Sequence, residues 1–221
     1  MLNSQNITTS ELAILYGVLL GDGCISRTGK AYFISIALNF HSDIPFVTEI
    51  LPLLKKLRGK EIKPHKRPTY GKIEIIFSDK VLFEKLATIG FPIGKKGINL
   101  MVPNMFKDYM TEIVQGYFAT DGSLVITNNN GTIYPRVEFS SISKPLLKQV
   151  NTYLSSLNFN GNIYLSKKYE NHWHDRYRLQ LNGLINLQRF RKLIGFINPK
   201  HEERYQQLLN MRKRRKDHGT S

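Results

Sequence analysis

Hydrophobic and polar positions along the first part of the chain follow two different periods. Near the start, Thr9 or Ser10 can cap a helix that has Glu11 in its first turn. From residue 32 to residue 40 every second position is apolar, and the positions between them include serine and asparagine. A period of two is typical of a strand with one buried face, so a helix followed by strands is predicted.

The same periods continue and then start again in the second half. A helix at about 44–57 is expected before a hairpin, and a helix at about 79–90 after it. Strand-like alternation returns at 133–139 and at 176–181. Each half therefore predicts the element order αββαββα, which belongs to the α+β class. The expected boundaries are a first half over 1–98, a linker over 99–110, a second half over 111–208 and a basic tail over 209–221.

A nine-residue motif occurs twice in the chain. Residues 15–23 read LYGVLLGDG and residues 114–122 read VQGYFATDG, and the two align on Asp22 and Asp121. A second repeat, IGF, follows a helical stretch in each half. Repeats at matching positions predict two halves with one fold. The small residues shared by the two motif copies are Gly17 with Gly116, Gly21 with Thr120, and Gly23 with Gly122.

The small residues of the motif predict how two helices pack. Residues four apart lie on one helix face, and small side chains there let another backbone approach closely. Glycine inside a helix costs up to about 1 kcal/mol relative to alanine, so close packing must offset that cost. The two motif helices are therefore expected to lie side by side between the halves, and Gly23 and Gly122 are expected to stop them at their C-terminal ends.

Each motif helix is expected to end in an acid, Asp22 or Asp121. A carboxylate at a helix C-terminus faces the negative end of the helix dipole, and two such carboxylates also repel each other. A divalent cation relieves both effects, and Mg²⁺ prefers oxygen ligands while keeping places for water and phosphate. The two acids therefore predict a metal centre that can assist phosphodiester hydrolysis.

The charge of the chain indicates a polyanionic partner. The net charge is +15, and lysine and arginine exceed the acids by 15 to 9 in residues 1–110 and by 17 to 8 in residues 111–221. A positive excess in both halves favours nucleic acid over an anionic membrane. No apolar stretch approaches the roughly 20 residues of a membrane span, and the N-terminus has no secretory apolar region. The single Cys24 excludes an internal disulfide, so an intracellular protein is expected.

The two motifs resemble those of the LAGLIDADG homing endonucleases in their single-chain, two-motif form. The resemblance covers about 10–207, and the second copy departs from the consensus at Gln115, Tyr117 and Thr120 while keeping its acid. It implies two pseudo-symmetric αββαββα halves whose antiparallel sheets form a saddle over the major groove of DNA. The motif helices would form the interface between the halves.

The resemblance also implies the residues of a catalytic centre. Asp22 and Asp121 would bind Mg²⁺ or another hard divalent ion such as Mn²⁺, with Ca²⁺ giving a non-cleaving complex. The backbone carbonyls of Gly21 and Thr120 would be further metal ligands. A basic residue is expected beside each acid; aligning IGFPIGKK with IGFINPKH pairs Lys95 with Lys200 and leaves Lys96 one position later. The basic candidates are Lys95, Lys96 and Lys200.

The strand faces opposite the apolar ones supply candidate DNA contacts. Arginine reads guanine with two hydrogen bonds and asparagine or glutamine reads adenine, whereas other contacts reach phosphate and only position the protein. Because these positions differ between the halves, the target is expected to be long and asymmetric. The candidates are Ser35, Asn39, Lys63, His65, Arg67, Lys72, Glu74, Arg136, Glu138, Tyr164, Lys168, Arg176, Arg178 and Gln180.

The function predicted from these features is a site-specific double-strand DNA endonuclease, encoded within an intron and acting as a monomer. Two alternatives share the fold: an RNA-splicing maturase, with intron RNA as its partner, and a DNA-binding protein without catalysis. The presence of both acids favours cleavage.

Overall fold

A capping box starts the first helix. Oγ1 of Thr8 accepts a hydrogen bond from the backbone N of Glu11 at 3.2 Å, and the Glu11 carboxylate accepts one from the backbone N of Thr8 at 3.1 Å. Thr8 is therefore the cap, and the expected caps Thr9 and Ser10 lie inside the first turn. The computed structural model describes residues 7–129, 132–168 and 174–218, with the backbone alone at 129 and 214–218.

The first half has the element order expected from its hydrophobic pattern. Buried Ile34, Ile36 and Leu38 alternate with more exposed residues along the second strand, as a period of two requires. The helix expected to start at 79 begins after Asp79, whose carboxylate accepts a hydrogen bond from the backbone N of Leu82. The elements are α1 (Thr9–Asp22), β1 (Gly23–Thr28), β2 (Ala31–Asn39), α2 (Ile44–Arg58), β3 (His65–Arg67), β4 (Lys72–Ser78) and α3 (Lys80–Thr88).

The second half repeats this order and adds one helix. The residues expected to form a tail after 208 continue a long helix instead, and the linker contains a 3-10 helix over Asn104–Tyr109. Within the described residues, no helix is long and apolar enough to cross a membrane. The elements are α4 (Met110–Asp121), β5 (Gly122–Asn129), β6 (Thr132–Ser141), α5 (Lys144–Ser156), β7 (Gly161–Lys167), β8 (Arg176–Asn182), α6 (Leu184–Leu193) and α7 (Pro199–His218).

Each half forms a four-stranded antiparallel sheet with the same strand order. The orders are β1-β2-β4-β3 and β5-β6-β8-β7. Gly23 lies opposite Ile36 in the first sheet and Gly122 lies opposite Phe139 in the second, so each motif helix leads into an equivalent place. The α+β class and the two pseudo-symmetric αββαββα halves are confirmed.

The IGF repeats are helix stops. Gly90 and Gly195 have φ angles of +97° and +83°, which favour glycine. The backbone N of Phe91 donates to the carbonyl of Leu86 at 2.9 Å after α3, and that of Gly195 donates to the carbonyl of Phe190 at 3.0 Å after α6. Each stop turns the chain back toward the end of a motif helix.

The glycines that follow the two acids are needed because there is no room for a side chain, and not because the backbone takes a helix-stopping conformation, as the sequence predicted. Gly23 and Gly122 have φ angles of −97° and −87° in extended backbone that other residues can adopt. An added Cβ would lie 2.8 Å from Cβ of Leu19 at the first position and 2.6 Å from Cγ of Phe118 at the second. The preceding turn of each motif helix therefore excludes a side chain there.

Candidate active site

The two motif helices touch backbone to backbone. A Cβ on Gly17 would overlap the carbonyl oxygen of Ile113 and lie 3.0 Å from Cα of Gly116. A Cβ on Gly116 would overlap the carbonyl oxygen of Ile14 and lie 3.0 Å from Cα of Gly17. Ile14 and Ile113 occupy the same place in the repeat, so the contact is reciprocal, and the predicted helix pair at the interface between the halves is present.

The contact continues to the ends of the helices, where the acids lie. A Cβ on Gly21 would lie 2.8 Å from Cβ of Thr120 and 3.1 Å from the backbone N of Asp121. The Thr120 hydroxyl donates within this interface, where the carbonyls of Tyr117 and Val18 lie 3.2 and 3.4 Å away. The chain at Gly21 thus touches the chain at Asp121, and the two acidic ends meet.

Both acids resist ionisation. Burial raises the pKa of Asp121 to about 6, with the negative charge of Asp22 acting in the same direction and the charge of Lys96 against it. Burial also raises the pKa of Asp22, again opposed by Lys96. Two acids in this condition favour a bound proton or a bound cation over free carboxylates.

Lys96, and not Lys95, lies at the acidic centre. Its ammonium donates to the carbonyls of Leu19 at 3.0 Å and Leu20 at 2.9 Å, and also to the carbonyl of Gly21. Burial lowers the pKa of Lys96, while the charges of Asp121 and Asp22 act to raise it. Lys95 is exposed. The ammonium therefore caps the C-terminal end of α1.

The end of α4 is capped by neutral groups. The side-chain amide of Asn198 donates to the carbonyl of Ala119 at 2.8 Å, and Nε2 of His201 lies 3.1 Å from the carbonyl of Phe118. Burial, followed by the charge of Lys200, lowers the pKa of His201 to about 4, so the imidazole is neutral at pH 7. Counting from the IGF repeats, His201 corresponds to Lys96. The two halves thus cap equivalent carbonyls with different chemistry.

Asp43 is a buried acid of the site that sequence reasoning missed. Its carboxylate accepts hydrogen bonds from Lys200 Nζ at 2.8 Å, Asn198 Nδ2 at 2.9 Å and the backbone N of Asn39 at 3.0 Å. Burial alone would raise the pKa of Asp43, but the donors together hold it below its usual value. Before a helix an aspartate is normally a cap. Asp43 makes no side-chain cap bond, because its carboxylate binds the second half and the backbone N of Asn39 instead.

Comparison with known proteins identifies the fold. Residues 108–195 match the family model of a LAGLIDADG-like domain. I-DmoI in complex with DNA and Ca superposes with a TM-score of 0.59 at 19% identity, over 84% of this chain and 88% of that one. I-SmaMI bound to uncleaved DNA with calcium superposes with a TM-score of 0.58 at 10% identity, over 91% of this chain and 92% of that one. The chain has the LAGLIDADG homing endonuclease fold.

A curated relative matches most of this chain but is itself much longer. A probable translation initiation factor IF-2 of Methanocaldococcus jannaschii is 28% identical over 213 residues. The match covers 89% of this chain and 16% of that protein, so this chain spans about a sixth of its length.

The LAGLIDADG sheets carry most of the predicted DNA-binding residues on the faces opposite the core. Twelve of the fourteen candidates lie on strands, whereas Lys63 lies in the loop before β3 and Lys168 just after β7. Two others differ in role. The amide oxygen of Asn39 closes a turn by accepting from the backbone N of His41 and Ser42. Glu138 is buried rather than exposed.

The predicted metal ligands are two carboxylates and backbone oxygens. Among the described residues, no group of three or more histidine, cysteine, aspartate or glutamate side chains could hold an ion. The paired acids with raised pKa values nonetheless suit a hard divalent cation. The carbonyl of Gly21, expected as a ligand, accepts a hydrogen bond from Lys96 instead. A metal using that carbonyl would have to displace the ammonium.

Proposed function

We propose that this chain is a site-specific double-strand DNA endonuclease that requires a divalent metal, and that it is an intron-homing enzyme acting as a monomer. The observation that carries the proposal is the meeting of Asp22 and Asp121 at the ends of two packed helices, each with a raised pKa. Because one chain supplies both acids, a second copy is not needed to complete the centre.

The residues of this centre have separable tasks in the proposed reaction. Asp22 and Asp121 would hold Mg²⁺ or Mn²⁺, which when bound activates water and offsets charge on the phosphate. Once ionised, the two acids would keep that cation in place, and their partial burial would strengthen the attraction. Lys96 keeps a positive charge beside them, where it attracts a phosphate group. Asp43 holds Lys200, whose charge also acts on Asp22.

DNA is the proposed partner because the sheets expose basic side chains on the face opposite the core. I-DmoI and I-SmaMI, which share the fold, were solved with DNA and calcium, and I-DmoI also with DNA and Mn. The net charge of +15 supports binding that depends on phosphate contacts and weakens steeply with salt. Since the two sheets carry different side chains at equivalent positions, the proposed target is long and asymmetric.

Selection of cleaved sites from a random duplex DNA library with Mg²⁺ tests this function. The wild-type chain should cut both strands at one defined sequence. Asp22→Asn and Asp121→Asn should each abolish cutting while leaving affinity for the selected site largely intact. Glu84→Gln, a change at an exposed acid of α3, is the matched control and should cut normally. Undiminished cutting by the double aspartate variant would refute the assignment.

A further inference from the structure

Glu138 is a buried acid on the surface proposed to face DNA. It lies on β6 between Ser123 of β5 and Gln180 of β8. Its side chain is only 6% exposed, whereas its neighbours on the same face, Arg136 and Arg178, are 29% and 48% exposed. The carboxylate is therefore covered, and the two guanidinium groups are the more accessible to a base edge.

The oxygens of Glu138 are engaged by three side chains. Oε1 accepts a hydrogen bond from Nε2 of Gln180 at 2.9 Å and lies 3.2 Å from Nε of Arg136. Oε2 lies 3.7 Å from Nη1 of Arg178. One acid thus forms ion pairs with two arginines of neighbouring strands, and the three charges sum to +1.

The first sheet has no such cluster at the equivalent place. The shared register puts Ser35 where the second sheet has Glu138, and Ile76 where it has Gln180. Ser35 points its hydroxyl at the carbonyl of Cys24 at 3.4 Å, and Ile76 is 37% exposed. The two sheets therefore carry different chemistry at this equivalent place on their exposed faces.

The cluster also has a defined place along the proposed DNA. Ser123, the partner of Glu138 on β5, lies two residues after Asp121. At about 3.3 Å per strand residue and 3.4 Å per base pair, the cluster lies within a few base pairs of the cleavage position. The opposite end of β5, at Asn129, lies farther from Asp121.

We propose that Glu138 is a positioning residue for base recognition, which holds Arg136 and Arg178 ready to bind guanine in the half of the target under the second sheet, close to the cleavage position. This inference rests on the proposed function. Arginine binds N7 and O6 of guanine with two hydrogen bonds, which requires a defined guanidinium plane. A tethered arginine loses less side-chain freedom on binding than a free one.

The test is selection of bound duplexes from a random library in the presence of Ca²⁺, so that binding is read without cleavage. Wild-type chain should select guanine at two positions on one side of the site centre. Arg136→Ala and Arg178→Ala should each relax the preference at a different position by about tenfold or more. Glu138→Gln keeps the shape of the side chain but removes its charge, and should relax both positions together.

The matched control is Glu84→Gln, the same change at an exposed acid of α3 that lies 3.6 Å from Lys80. It should leave the selected sequence unchanged at every position. Affinity of Glu138→Gln for unrelated duplex DNA should be unchanged or higher, since a negative charge is lost. A purely structural Glu138 would instead lower the unfolding temperature and weaken binding to all sequences equally.

The outcomes separate this inference from the proposed function. If the chain selects and cuts a defined site that lacks guanine on either side near the centre, the role of Glu138 is refuted while the endonuclease stands. Retention of the guanine preference by Glu138→Gln refutes it as well. If no sequence is selected and none is cut, the proposed function itself fails.

Discussion

Replacing Asp121 by asparagine is expected to stabilise the folded protein at neutral pH in the absence of metal. The carboxyl of Asp121 has a pKa of about 6 in the folded chain, because of burial and then the charge of Asp22, against 3.8 for the ordinary group. Folding at pH 7 therefore brings an ionised group into a place that disfavours it. Asparagine has the same shape and carries no charge.

The size of the effect follows from the pKa difference. Each pKa unit corresponds to about 1.4 kcal/mol, so a shift of roughly two units sets an upper value of about 3 kcal/mol. Because solvent screens charges at a partly exposed site, the expected gain in the free energy of unfolding lies between about 1 kcal/mol and this upper value. In a chain of this length that gain raises the unfolding temperature by about 3 to 10 °C. The pH range of the effect is fixed by its sign: a raised acid pKa costs stability as pH rises from about 4 to about 6.

Thermal unfolding in EDTA at pH 4, 5, 6 and 7.5 measures this. The advantage of Asp121→Asn over wild type should be full at pH 7.5 and close to zero at pH 4. Addition of Mg²⁺ should stabilise the wild type and leave the variant unchanged. Asp108→Asn, at an exposed acid before α4, is the control and should have no effect at any pH. A variant that is less stable than wild type at pH 7.5, or a difference independent of pH, would refute the reasoning.

Three further predictions concern the helix contact and the residues around the acids. Gly17→Ala should lower the free energy of unfolding by about 2–3 kcal/mol, because the added methyl meets backbone of α4; Gly97→Ala, where an added Cβ meets nothing within 4 Å, should not, and urea unfolding compares them. Relative to His201→Gln, the wild type should lose up to about 3 kcal/mol of its free energy of unfolding as pH falls from about 6.5 to about 4, because only the unfolded imidazole takes up a proton. A difference in unfolding temperature that does not depend on pH would contradict this. Asp43→Asn should remove the charged partner of Lys200 and lower the free energy of unfolding by about 2 kcal/mol. It should slow single-turnover cleavage more than it weakens DNA binding in gel-shift assays; equal loss of cleavage and binding would argue against the placement of Asp43 at the centre.

The helix pair was predictable from the sequence because small residues four apart permit few other arrangements. Gly17 with Gly21, repeated as Gly116 with Thr120, gave the packing of α1 on α4, and alternation gave the buried strand faces. The helix after Pro199 was not predicted, because its basic end has no apolar face to mark a helix. His201 in its first turn and Asn198 just before it nevertheless cap α4.

The surroundings of the acids were harder to predict, because they depend on contacts across the two halves. Asp43 and Asn198 are 155 residues apart and meet through one hydrogen bond. Alignment of the IGF repeats placed Lys95 opposite Lys200 but left both Lys95 and Lys96 as candidates for the centre. The turn after Phe91 directs Lys96 there. A bond from the backbone N of Gly94 to the carbonyl of Ile25 fixes that turn, and no local pattern signals such a bond.

The account depends most on a shared cation centre between Asp22 and Asp121. Anomalous diffraction from a crystal of the chain with its selected DNA and Mn²⁺ tests this directly. Manganese is predicted within direct coordination distance of both carboxylates and of a phosphate oxygen, with the Lys96 ammonium moved off any carbonyl that binds the ion. Manganese bound elsewhere, with Lys96 still capping α1 and no ion touching either acid, would contradict the account.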